Sequence, residues 1–177
     1  MAIWLENLKN AAIVITPVVG LYTILRGLAD FRASTEQKKQ DLRWKRAAAA
    51  RELTTEIHKS TDAAAAIEMF DWWCCARSIK VDDVRIDMKP DDATNALALP
   101  AQNKATAEQM VIRDCFDWFF YYVDRIGHYV RSGLIDLGDV YPIFKPYARI
   151  VNSNREVFYA FLDQHDYDSA KWFFDQY

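Results

Sequence analysis

The sequence predicts an all-α protein with an N-terminal transmembrane helix, a long stalk helix and a small aromatic-rich helical bundle. Three observations lead there. Five Gly and five Pro among 177 residues are too few for an all-β chain. Apolar residues recur at steps of three and four over long stretches, most strongly from Thr106 to Arg131. No stretch reads as strand alternation, and the sequence shows no repeats or low-complexity linkers.

Residues 1–31 read as a membrane anchor. From Ala11 to Leu25 fifteen residues pass without a charge, about 22 Å of helix at roughly 1.5 Å per residue. A bilayer core of about 30 Å asks for about 20 apolar residues. Extending the segment to Phe31 supplies the length and admits Arg26 and Asp30. Arg26 can snorkel to the headgroups, and Asp30, four residues on, can neutralise it on the same helical face. Two other readings compete. A secretory signal peptide wants a basic start and a small-residue cleavage site, whereas the chain opens MAIWLENLKN with no convincing A-x-A site. A buried core helix of a soluble protein also fits so short an uncharged run.

Flanking charge favours the membrane. Between Arg26 and Arg51 lie eight Lys or Arg against three acids, and only Lys9 precedes the segment. By the positive-inside rule the short N-terminus faces out and the rest of the chain is cytoplasmic. The basic cluster then meets anionic lipid headgroups. Inside the segment, Thr16, Gly20, Thr23 and Gly27 follow at spacings of four, three and four, so they share one face. Small residues so placed let membrane helices approach closely. They are the predicted oligomerisation or pore face of a homo-oligomer.

Residues 32–177 form the basic stalk and the body. Glu36 to about Ile79 contains neither Pro nor Gly and is rich in good helix formers. Leu42, Ala49, Leu53, Ile57, Ala64, Ile67 and Cys74 give it a narrow, alanine-heavy stripe. The segment ends in MFDWWCCARSI, apolar around most of its circumference. Val81 to Lys104, with two prolines and half of its residues polar, is predicted as a loop within which ALALP adds a short turn.

The helix Thr106–Arg131 follows, its apolar face marked by Ile112, Cys115, Trp118, Phe119, Val123 and Ile126, and Ser132-Gly133 stops it. The next helix, Asp136 to about Val151, holds Pro142 and Pro146, which kink or split it. Ser153 with Glu156 suggests a capping box for NREVFYAFLDQ, and Asp166 or Asp168 a cap for SAKWFFDQY.

Composition narrows the chemistry. A net charge of −3 does not support nucleic acid as a partner. Three cysteines, an odd number, make no disulfide framework and fit a reducing compartment. Neither a Walker A, a GxGxxG nor a GxSxG pattern is present, so the sequence calls for no cofactor. With three His and no HExxH, it calls for no metal either. The aromatics WFFYYVD and KWFFDQY are interleaved with acids, which suits core packing and a protein interface better than base stacking. Phe120 and Tyr121 are the predicted partner-facing pair.

The one candidate for catalysis is Arg51 with His58, seven positions apart and so on one face after two turns. This spacing resembles that of the HEPN ribonucleases. The resemblance implies His58 as general acid or base and Arg51 as stabiliser of phosphorane-like charge, without metal.

DLRWKRAAAARELTTEIHKS and FDWFFYYVDRIGHYVRSGLIDLGDVYPIF resemble a group of small bacterial membrane proteins classed as a domain of unknown function, with an anchor, a charged stalk and an aromatic body. More distantly, the layout is similar to the HEPN-like membrane accessory proteins of RNA-targeting CRISPR systems, which are thought to assemble into pores. Together the resemblances imply a non-enzymatic oligomer in the bacterial inner membrane. It would be a pore-type or regulatory effector or accessory of anti-phage defence. The alternative is a membrane-tethered, metal-independent ribonuclease.

Overall fold

The computed structural model describes residues 2–73, 75–81, 84–98 and 105–177, with the side chains of residues 2–19 and of Leu21 lying outside that description. The first element, α1, runs without a break from Ala2 to Lys59. The predicted continuation to Ile79 is not observed. Ser60 adopts an extended conformation and its hydroxyl accepts from the Ala63 amide at 3.3 Å, so it starts a second helix, α2, at Thr61–Asp71. A serine hydroxyl that satisfies an orphan amide makes a new helix start competitive with continuing the old one.

The expected loop after α2 is in part ordered structure. Arg77–Val81 and Val84–Met88 form an antiparallel hairpin, β1 and β2, with Ile79 opposite Ile86 and Arg77 opposite Met88. Both strands alternate, burying Ile79, Val81, Ile86 and Met88 on one face. The fold is therefore all-α in its general class, mostly helical with one two-stranded hairpin added. Asp92–Leu97 follows as a short helix, α3, which takes in Ala96 and Leu97, the first two residues of the ALALP segment expected to add a turn of helix. Residues 82–83 and 99–104 of the predicted loop lie outside the described residues.

The helix of strongest period is α4, Ala107–Arg131, opened by a full capping box between Thr106 and Gln109 and closed by Ser132 and Gly133, whose φ is +73°. A left-handed residue after a helix is a position that glycine fills without strain. Leu137–Ser153 is α5, capped by Asp136 and unbroken despite Pro142 and Pro146. Both prolines are exposed, where a lost backbone bond is replaced by water. Arg155–Gln164 is α6 and Asp168–Phe174 is α7. The capping box expected at Ser153 does not form, because Ser153 is the last residue of α5 and Asn154 takes the cap position. Neither Asp166 nor Asp168 caps α7.

The chain divides into two compact units, residues 1–45 and 46–177. The second is built around α4, which packs against α2, α3 and α7. Its core is aromatic. Phe70 of α2 lies 5.1 Å from both Phe116 and Phe119 and 5.8 Å from Phe158, ring centre to ring centre, and all four are fully or almost fully buried. Tilted and edge-on pairs at these distances add to what area burial alone contributes. The seam of α4 against α7 is close, since a Cβ on Gly127 would come within 2.2 Å of the Ser169 carbonyl oxygen. Only a residue without a side chain allows that approach. The first unit is the N-terminal part of α1.

Candidate functional site

The residues expected to meet a membrane or a second helix lie on the first unit. The uncharged run from Ala11 falls largely outside the residues whose side chains are described, Thr16 among them. Among the described residues, no helix is long and apolar enough to cross a membrane. From Tyr22 to Ala48 every side chain but that of Thr35 is exposed. Tyr22, Ile24, Leu25, Leu28 and Phe31 are each more than half exposed, as are Leu42 and Trp44 further along. A helix interior that shows water this many large apolar side chains is unusual for a soluble surface. Gly20 and Gly27 are exposed, and a Cβ at either would meet nothing within 4 Å.

Arg51 and His58 lie in the second unit, both exposed on α1 and separated by about 10 Å of helix rise. An open groove of about 350 Å³ runs beside Arg51, lined also by Ala48, Glu52, Thr55, Glu56 and Lys59. His58 is not part of that lining. Two carboxylates are, and Glu56 is held by Arg125 of α4 at 3.0 Å. A groove with as many acids as bases gives no strong attraction to a phosphate backbone. The geometry leaves Arg51 and His58 as two separate surface groups in one chain.

The aromatic pair divides. Tyr121 is 42% exposed, as expected of a partner-facing residue, and Trp118 beside it is 45% exposed. Phe120, however, is fully buried, packed against Phe116, Phe158, Phe161 and Phe174. The buried face of α4 is thus turned toward Phe116 and Phe120 and away from Trp118. With three helices packed on α4, the covered arc is wide enough to take in positions that a single apolar stripe leaves out.

A polar cluster on the same helix escaped the sequence reading. Asp117 accepts from the Tyr167 hydroxyl at 2.9 Å and lies 3.1 Å from His165 Nδ1, while Asp124, seven residues on, accepts from the Ala170 amide at 2.9 Å. Asp124 thereby supplies from α4 the cap that α7 lacks locally. Burial, and then the hydrogen bond to Asp117, push the Tyr167 hydroxyl well above its ordinary pKa. Arg113 donates to the Ala96 and Leu97 carbonyls at 3.0 and 3.3 Å, closing the C-terminal end of α3. Near the C-terminus Asp175 accepts from Tyr159 at 2.8 Å and from Arg155 at 2.6 Å. Burial works to raise the Asp175 pKa, but these two donors outweigh it and hold the carboxyl below its usual range. The spacing of Asp117 and Asp124 was the available signal, since both stand beside the apolar stripe where acids need partners.

These are contacts that dock elements, not a catalytic constellation. Among the described residues, no group of three or more His, Cys, Asp or Glu could hold a metal ion. The chain matches no family model, no curated protein and no solved structure.

Proposed function

We propose that this is a membrane-anchored helical protein that self-associates through the N-terminal part of α1, with the aromatic-cored unit regulating the assembly. The observation behind the proposal is the uncovered apolar surface between Tyr22 and Phe31, directly followed by the basic residues from Arg32 to Arg46. Exposed apolar side chains on a helix are covered in the working state by lipid or by another helix. Basic residues at the end of such a segment favour anionic headgroups and set the orientation. The glycines Gly20 and Gly27, with open space about them, suit close helix approach in a homo-oligomer. A pore-type or regulatory role in bacterial defence is what the resemblances of layout add.

The test is native mass after extraction from membranes, with and without detergent, on the full chain and on Gly20→Leu. A particle larger than one chain in detergent that shrinks with Gly20→Leu supports the reading. A monomer that stays in solution without detergent overturns it. A second reading keeps Arg51 and His58 as an RNA-cleaving pair, favoured by their joint exposure on one face of α1 and by the open groove beside Arg51. Cleavage abolished by His58→Ala, with the body still folded, would support it; cleavage that survives the substitution, or none in the wild type, would remove it.

A further inference from the structure

Where α2 ends against the hairpin lies a cavity of about 10 Å³, room for one water-sized sphere. Three of its wall residues carry sulfur: Met69 on α2, Cys75 in the connection to β1, and Met88 at the end of β2. Met69 and Met88 are almost fully buried, while Cys75 is a free, exposed thiol. The hairpin register sets Met88 opposite Arg77, two residues after Cys75, so the end of β2 and the connection into β1 border the same cavity. Two of the chain's three internal methionines line this cavity; the third, Met110, is half-exposed on α4.

Methionine often fills irregular gaps in a core for its flexibility alone. A thiol and two thioethers in the wall of one small cavity add chemistry that packing does not require. Thioether and thiolate donors are soft and select monovalent copper or silver, whereas Mg²⁺, Ca²⁺ and Mn²⁺ want oxygen.

We propose that Met69 Sδ, Met88 Sδ and Cys75 Sγ form a three-sulfur site for a soft monovalent cation, Cu(I) in the cell. Binding releases the Cys75 thiol proton to solvent and involves no change of oxidation state. The thiolate and the monovalent ion sum to zero charge, so the partly buried complex has little desolvation cost. Of the two cationic wall residues, Arg77 is already engaged. Arg77 pairs with Glu68 at 2.6 Å and stacks over Trp72 at 4.3 Å, and Lys89 shares the wall with Asp91. Trp72 and Trp73, also in the wall, place two natural fluorophores beside the ion.

The experiment presents the full-length protein, in detergent where extraction needs it, with Cu(I) held by the competing chelator bicinchoninate under argon. Tryptophan emission is followed in parallel. The wild type is expected to withdraw one equivalent and to lose tryptophan emission as it does so. Met69→Leu and Met88→Leu, which conserve volume and so the fold, should each weaken binding at least tenfold, and Cys75→Ser should abolish it while Cys74→Ser does not. Failure of the wild type to withdraw copper would overturn the proposal. So would both leucine variants binding as the wild type does, since that is the behaviour of a surface thiol acting alone.

Discussion

Leu53 and Leu42 stand eleven residues apart on one face of α1, three turns of the same helix, yet Leu53 is 5% exposed and Leu42 is 56% exposed. Ala50 and Ile57 share the fate of Leu53, and Ile24, Leu28 and Phe31 that of Leu42. The glycines divide in the same way. Gly127 is wedged against the Ser169 carbonyl, while Gly20 and Gly27 face open space. The comparison separates two things that periodicity merges. An apolar stripe states that a face wants cover, and only packing states whether the chain itself provides it. In the second unit the chain does. In the first, the cover is a lipid or a second helix on the reading proposed above.

The sharpest way to break this comparison is to truncate equivalent side chains in the two environments. Phe120→Ala removes a fully buried ring and should cost about 4 kcal/mol of stability, whereas Tyr121→Ala next to it should cost less than about 0.5 kcal/mol. Thermal unfolding followed in the near-ultraviolet, where the aromatic core reports, would show both. Equal effects would mean that α4 is rotated from the orientation described. Leu53→Ala should cost about 3 kcal/mol in urea unfolding and Leu42→Ala next to nothing. A large loss for Leu42→Ala in the monomeric state would mean that the stripe is covered within one chain after all.

Gly127→Ala should destabilise by about 2 kcal/mol, because backbone and not a flexible side-chain end occupies the space. Gly27→Ala should leave the unfolding midpoint unmoved, with a small gain in helicity by circular dichroism. Asp124→Ala removes the cap that α4 lends to α7 and should cost about 1 kcal/mol. Hydrogen exchange should locate that loss in the first turn of α7, at the Ala170 amide.

The smallest effect is one of pH. Tyr167 has its pKa raised on folding, by burial first and then by the hydrogen bond to Asp117. A group so shifted contributes stability that is complete below its ordinary pKa, near 10.0, and is lost as pH rises through the higher folded value. Stability should therefore fall above pH 10, and Tyr167→Phe should flatten that fall in chemical-denaturation series. Asp175 is shifted downward, so its contribution is present above its ordinary value of 3.8 and disappears as pH drops through the folded one. Arg155→Ala, by removing one of its two donors, should move the acid transition to higher pH.

Much of this was legible from residues alone. A long 3.6-residue period from Thr106 and the Ser132-Gly133 stop gave α4 its course and end, all from interactions within one or two turns. Gly and Pro frequency gave the helical character. The hairpin was not legible because each strand offers only five residues, Ser78-Ile79-Lys80-Val81 and Arg85-Ile86-Asp87-Met88 alternating amid charges that read as loop. The break at Ser60 was missed because Ala63 to Ala66 propagate a helix as readily as they begin one. Of the candidate site, Tyr121 stayed at the surface and Phe120 did not. Arg51 and His58 keep their common face, but the groove beside Arg51 is lined without His58.

The sequence by itself determined the mostly helical character, the course and stop of α4, the apolar stripe of α1 and the basic segment that follows its first part. These depend on spacing and composition, which are local. Only the tertiary structure decided which stripe is covered, that Asp124 caps a helix 46 residues away at Ala170, and that Met69, Cys75 and Met88 line one cavity. Those facts depend on which elements meet. The meeting is fixed by the packing of whole aromatic faces around α4, for which no single stretch of the chain holds the pattern.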